Sequence, residues 1–252
     1  MPIAFVCPQV LAQNQLSSDL GLDHFDSLLH VLVFPLTMDW SPEDAMKAYL
    51  HTIQLCKIHD CTLGLGTSTR LIEPKYVELI SALAAGKRAK LMVEITSNGI
   101  SPLTLALAVA AKQTSGRLVC IIHEDHDIEK SKARLTENDL EDTIDFVYGS
   151  PCEVINRYKS IDFAVIDCKL EDHIKLFKTI NLNPSGSIVA VSNLQHRRDG
   201  IISFAEVLKG RNIGVKSVTL PIGEGMELTR IGSTGKRETG RSYKRFHVIF
   251  EN

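Results

Sequence analysis

Glu124 closes the apolar run LVCIIHE where a strand would end, and a carboxylate there can accept both hydroxyls of a ribose, as in dinucleotide-binding folds. Ser101-Pro102 opens the apolar run PLTLALAVAAK with a side chain suited to N-capping and a proline suited to the first helical position. The positive end of such a helix suits a ligand carboxylate. Other constellations carry less chemistry. His51, Cys56, His59 and Cys61 match no established zinc spacing and straddle a helix end. His123-Glu124-Asp125-His126 has its histidines three apart at a strand terminus, unlike the helical HExxH arrangement. Gly64-x-Gly66 follows a helix and no strand, so it reads as a linker or lid. Lys236, Arg237, Arg241, Lys244 and Arg245 have no interleaved aromatic platform and read as a solvated tail rather than an RNA-binding surface.

The elements that position these residues follow from periodicity. Trp40-Ser41-Pro42-Glu43-Asp44 reads as a helix start, with Ser41 as N-cap and Asp44 where a capping-box carboxylate would stand. Ala45, Ala48, Tyr49, Thr52, Ile53 and Cys56 continue one helical face, and a second helix runs from about Pro74 to Gly86. Five strands then alternate with helices: 89–95, 116–124, 143–150, 162–168 and 187–193. The intervening helices are expected at Pro102–Lys112, Ile128–Leu135, Pro151–Tyr158, Glu171–Ile180 and Ile201–Leu208. Continuous apolar strands separated by helices indicate a parallel sheet covered on both faces. Strands at 216–222 and 226–231 are joined only by Gly223-Glu224-Gly225, too short for a parallel crossover, so they must pair antiparallel. Residues 1–37 read as an extension, 38–252 as one domain, 232–245 as a mobile tail and 246–250 as a short edge strand.

The chain has 252 residues, enough for one large domain, with 44% hydrophobic and 23% charged residues, which argues against disorder. A formal net charge of −2 gives no reason to expect nucleic acid or a membrane surface as partner. No apolar run approaches the roughly 18 residues a membrane-spanning helix needs. Six acidic residues precede the first basic one, Lys47, which fits neither a secretory signal nor a transit peptide, so the cytoplasm is the expected location. Cys120 and Cys168 lie inside strand-like runs, where a thiol behaves as a small hydrophobe.

GSPCEVI at 149–155, DFAVIDCKLED at 162–172, PSGSIVAVSN at 184–193 and LPIGEGMELTRI at 220–231 occur in the order of corresponding segments of the small catechol- and caffeoyl-CoA-type O-methyltransferases, which they resemble. WSPEDAMKAYLHTI at 40–53 with ELISALAAGKRAKLMVEI at 78–95 is similar to a plant family of uncharacterised methyltransferase-like proteins. The resemblance implies a class I S-adenosylmethionine-dependent methyltransferase: a Rossmann-like, seven-stranded, mostly parallel α/β sheet with an antiparallel C-terminal hairpin and helices on both faces. It also implies S-adenosylmethionine as cofactor, with Glu94, Thr96, Asn98, Gly99, Ser101, Glu124, Ser150 and Asp167 as the residues that hold it. The loop after the first strand departs from the family pattern, since Thr96 replaces the first glycine and the loop is one residue shorter. Metal-dependent relatives place an Asp at the end of the fourth strand and an Asp-Asn pair at the end of the fifth. Here Asp167 and Asn193 remain but Ser192 replaces a carboxylate, so a dedicated divalent-metal site is not expected.

In an enzyme of this kind Asp167 would orient the reacting groups, and Lys169 would serve as base if burial lowered its pKa. The expected function is methyl transfer to oxygen or nitrogen of a small molecule. The alternative is a catalytically inactive methyltransferase-like binding or regulatory module. An NAD-dependent oxidoreductase is disfavoured by the terminal hairpin and the lack of GxGxxG after the first strand. The partners expected are a small-molecule substrate and, where an oligomer forms, a second copy of the chain.

Overall fold

A computed structural model describes residues 40–58, 76–96, 101–122, 135–170, 173–196, 204–209 and 214–232. Helices α1 (Pro42–Ile58) and α2 (Tyr76–Gly86) lead into β1 (Leu91–Thr96), α3 (Pro102–Thr114), β2 (Arg117–Ile122) and β3 (Ile144–Tyr148). Then come α4 (Pro151–Val154), β4 (Phe163–Asp167), α5 (His173–Thr179), β5 (Gly186–Ser192), α6 (Phe204–Lys209), β6 (Val215–Leu220) and β7 (Met226–Gly232). The strands form one sheet in the order β3-β2-β1-β4-β5-β7-β6. The first five are parallel, while β7 runs antiparallel to both β5 and β6. The hairpin pairs antiparallel as its short connection requires, though β6 ends at Leu220 so that the connection spans 221–225, and β7 slots between β5 and β6. Strand order reverses between β1 and β4, where open α/β sheets leave a crevice at the carboxyl ends of the strands.

Period-two alternation divides each strand between two cores. Met92, Leu118, Cys120, Phe163, Val165, Ala190 and Leu228 face α1, α2 and α3. Val93, Ile95, Val119, Ile121, Ala164, Ile166, Val189 and Val191 face α4, α5 and α6. Helix α3 is buried on nearly every side, and its alanines at 106, 108, 110 and 111 let neighbouring backbones approach closely. Trp40 closes one end of this layer. Its ring lies so near Gly86 that a Cβ there would collide with it, and the Ser41 N–H donates to the Gly86 carbonyl at 2.8 Å.

That contact alters the expected capping box. Ser41 Oγ accepts the Asp44 N–H at 3.2 Å as an N-cap should, but the Ser41 N–H is committed to Gly86. The Asp44 carboxylate accepts from Gln113 Nε2 at 2.8 Å and Arg88 Nε at 3.3 Å, tying α1 to α3 and to the end of α2. The helix expected over 151–158 is α-helical only to Val154 and tightens to a 3-10 turn at Ile155–Arg157, a common way for a short helix to end. The extension at 1–37, the residues around 128, the tail at 232–245 beyond Gly232 and the edge strand at 246–250 lie outside the described residues.

Candidate functional site

Glu94 is the fourth residue of β1, on the face shared with Met92, and it is only 2% exposed. Its neighbour across the sheet is Cys120, whose thiol donates toward Glu94 Oε2 at 3.7 Å. From above, Ser101 Oγ donates to Glu94 Oε1 at 3.3 Å. Burial pushes the Glu94 carboxyl up to about 7, Asp167 adds to the rise, and hydrogen bonds from Thr104, Ser101 and Cys120 oppose it. The Cys120 thiol is raised in turn, by burial first and by Glu94 second, so it stays protonated. Glu94 is therefore a carboxyl group near the midpoint of its titration at neutral pH, held at the end of the central strand.

Ser101 caps α3 as expected, accepting from Leu103 N and Thr104 N, while Thr104 Oγ1 accepts the Ser101 N–H at 3.0 Å. Leu105 N donates to the Ser101 carbonyl, and Pro102 has no N–H. Every N–H of the first turn is thus used. A ligand carboxylate placed there would meet the helix's positive field but no free first-turn N–H.

Asp167 ends β4 beside Ser192 of β5, on the same face as Glu94, and is 6% exposed. Its Oδ1 accepts from Asn193 Nδ2 at 2.7 Å and from the Lys169 N–H at 2.9 Å. Asn193 adopts φ 59, a left-handed conformation that Asn tolerates better than most residues, and this turns its amide onto Asp167. Lys169 does not meet the condition set for a base. Its side chain is a third exposed rather than buried, and Nζ lies 3.4 Å from Glu224 Oε2 on the turn between β6 and β7. That turn is fastened to β5 by Leu194 N to Gly225 O and Gln195 N to Glu224 O.

Thr96 ends β1 on the Glu94 face and is buried. Ser150 precedes α4 at the end of β3, two strands from β1, and its side chain makes no cap hydrogen bond. Asn98, Gly99 and Glu124 lie outside the described residues. The structure thus gathers Glu94, Thr96, Ser101 and Asp167 at the switch point, leaves Ser150 toward one sheet edge and sets Lys169 on the rim. Sequence reasoning passed over three participants. Cys120 reads as an ordinary strand thiol, Glu224 as a turn residue, and Tyr76, whose ring lies beside Gly223 of the β6–β7 turn, as the start of a helix. Nothing in their local patterns signals that tertiary structure brings them together. Among the described residues no group of three or more His, Cys, Asp and Glu side chains could hold a metal, and no helix is long and apolar enough to cross a membrane.

The family model described as a protein of unknown function (DUF1442) matches residues 36–250. No curated protein matches the sequence significantly. Among solved structures, the chain is similar to a methyltransferase from Geobacter sulfurreducens, with TM-score 0.51 and 19% identity over 84% of this chain and 97% of that one. It is also similar to the SAH-bound Podospora anserina methyltransferase PaMTH1, with TM-score 0.50 and 12% identity over 92% of this chain and all of the other (100%). At these identities the likeness establishes a shared fold, the Rossmann-like methyltransferase architecture.

Proposed function

We propose that this chain, which belongs to the DUF1442 family, binds S-adenosylmethionine at the β1/β4 switch point and transfers its methyl group to oxygen or nitrogen of a small molecule. The observation that carries the reading is the pair of buried carboxyl groups, Glu94 and Asp167, on one face at adjacent strand ends of a methyltransferase-type sheet. The donor set fits the group. S-adenosylmethionine carries a sulfonium and an ammonium, and acceptor-only carboxylates are what a water-poor floor can offer to such cations. Glu94, Thr96, Asn98, Gly99 and Ser101 would hold its methionyl end, Glu124 its ribose, and Ser150 its adenine side.

When bound, the cofactor would supply an electrophilic methyl carbon: the acceptor's lone pair would form the new bond as the carbon–sulfur bond breaks, sulfur would keep that electron pair, and the acceptor's proton would pass to solvent. The chain's task is then mainly to position and to manage charge. Asn193 and the Lys169 N–H fix one oxygen of Asp167, so its carboxylate is held in a defined orientation at the end of β4. Glu94 gains charge as pH rises through about 7, and its ionised form is the one that attracts a cation. Lys169 and Glu224 link the end of β4 to the β6–β7 turn and so define the rim.

The fully used first turn of α3 is the feature that favours the alternative of a methyltransferase-like binding module without turnover. Native mass spectrometry of the purified protein, followed by a metabolite screen with labelled S-adenosylmethionine, separates the readings. Retained cofactor with label transfer supports the enzyme. Tight binding with no label transfer across the screen supports the module.

A further inference from the structure

The two oxygens of Glu94 are met from two different elements. Cys120 is its register partner on β2, so both side chains leave the same face of the sheet, and the thiol lies 3.7 Å from Oε2. The Ser101 hydroxyl, at the start of α3, lies 3.3 Å from Oε1. Ser101 Oγ already accepts Leu103 N at 3.1 Å and Thr104 N at 3.3 Å, which uses both its lone pairs and leaves its one proton to give. The thiol is fully buried in the apolar layer, and Glu94 is the acceptor that the sheet register sets beside it. Both groups are therefore turned to donate. An ionised carboxyl accepts from each, whereas a neutral one needs an acceptor for its own proton that neither offers. This clamp works against burial and the nearby Asp167 of β4, which resist ionisation. Among the described residues the other titratable group in the neighbourhood is the Tyr76 phenol of α2, which burial keeps neutral, and α3 offers only the uncharged Ser101 and Thr104.

Resting on the reading of Glu94 as a cofactor carboxyl, we propose that Cys120 is a positioning residue: its thiol and the Ser101 hydroxyl grip the two oxygens of Glu94 from neighbouring elements and hold it as an oriented carboxylate at the methionyl end of the site. Cys120 acts through Glu94 and touches no ligand itself. Serine in its place keeps a donor of nearly the same size, while alanine removes the donor and leaves Oε2 without it.

The test is a carbon NMR titration of full-length protein labelled at its glutamate carboxyl carbons, with the Glu94 signal identified by its absence in Glu94→Gln. Cys120→Ala should raise the Glu94 midpoint by about half a pH unit or more, and Cys120→Ser should keep it within about 0.2 units of wild type or below. The same midpoint in wild type, Cys120→Ala and Cys120→Ser would make Cys120 a mere space-filler and overturn the proposal. Infrared spectra of the unmutated thiol decide the matter even where Cys120→Ala fails to fold. One S–H stretch should move to lower wavenumber as Glu94 ionises and stay fixed in Glu94→Gln, and no S–H band that follows Glu94 would equally overturn it. In calorimetry across the same pH range, the midpoint of S-adenosylmethionine affinity in Cys120→Ala should move in step with the NMR value. An affinity that ignores the shift would overturn the positioning role. A wild type with no affinity for S-adenosylmethionine would overturn the cofactor reading instead, while the NMR and infrared titrations, which need no ligand, still decide whether Cys120 holds Glu94.

Discussion

Two aspartates five positions apart bracket β4 at opposite ends of the sheet. Asp162, just before the strand, accepts Lys90 N at 2.8 Å, Leu91 N at 3.0 Å and Asn183 Nδ2 at 2.7 Å. It ties the start of β1 to the segment leading into β5, a structural clamp at the closed end of the sheet. Asp167, at the other end, has one oxygen fixed by Asn193 and Lys169 and sits by the crevice with Glu94. Both are nearly as buried as each other, at 8% and 6% exposure. Burial alone therefore does not separate a fastening carboxylate from one proposed to meet a ligand. What separates them is the strand end: the carboxyl ends at a switch point face a crevice, while the amino ends face turns.

The sharpest way to break this comparison is to remove each carboxylate. Asp162→Ala leaves two backbone N–H groups and an amide without their acceptor and should cost on the order of 4 kcal/mol in urea unfolding. Equal destabilisation by Asp167→Ala would erase the distinction. Glu94 sharpens it from the other side through pH. Its folded pKa of about 7 lies above the 4.5 of an ordinary glutamate, so the folded state holds the extra proton between those values. Its contribution is most favourable below about 4.5 and declines as pH rises toward about 7. At ~1.4 kcal/mol per pH unit, on the order of 3 kcal/mol is lost across that window. Glu94→Gln should flatten this part of the stability profile and become the more stable protein at pH 8. An unchanged slope in the variant would place the titrating group elsewhere.

Asp167→Ala should lower turnover about 100-fold, or roughly 2.7 kcal/mol, with unfolding stability within about 1 kcal/mol of wild type. Lost stability with retained turnover would make Asp167 a second Asp162. Glu124→Ala should weaken cofactor binding about tenfold with little change in stability, and equal affinity in the two proteins would remove it from the site. The smallest expected effect is none: turnover should survive EDTA, because Ser192 replaces a carboxylate that a hard cation would need. Loss of turnover restored by added magnesium would show that Asp167 and Asn193 belong to a metal centre.

The division between the two strand ends was half legible in the sequence. Apolar runs such as LMVEI and FAVID announce buried parallel strands, and the three residues at 223–225 force a hairpin, so the architecture follows from local pattern. Strand ends place Glu94 and Asp167 at one edge for the same reason. The insertion of β7 between β5 and β6 is a pairing choice between distant segments, which local pattern does not encode. Asp162 reads as the first residue of a strand, and only the fold shows three donors converging on it. Tyr76, Cys120 and Glu224 come from a helix start, a strand interior and a turn, and their shared neighbourhood exists only after the sheet has closed. The exposed ion pair of Lys169 is likewise a tertiary fact, since burial of a lysine beside a strand end cannot be read from its neighbours in sequence.

The proposed cofactor site for S-adenosylmethionine is the crevice between β1 and β4. Calorimetry of the purified chain with S-adenosylmethionine and NAD, at pH 6 and pH 8, tests it most directly. Saturable binding of S-adenosylmethionine is expected, several-fold tighter at pH 8 as Glu94 ionises, with that pH dependence absent in Glu94→Gln and no response to NAD. Binding of NAD without S-adenosylmethionine, at either pH, would contradict it.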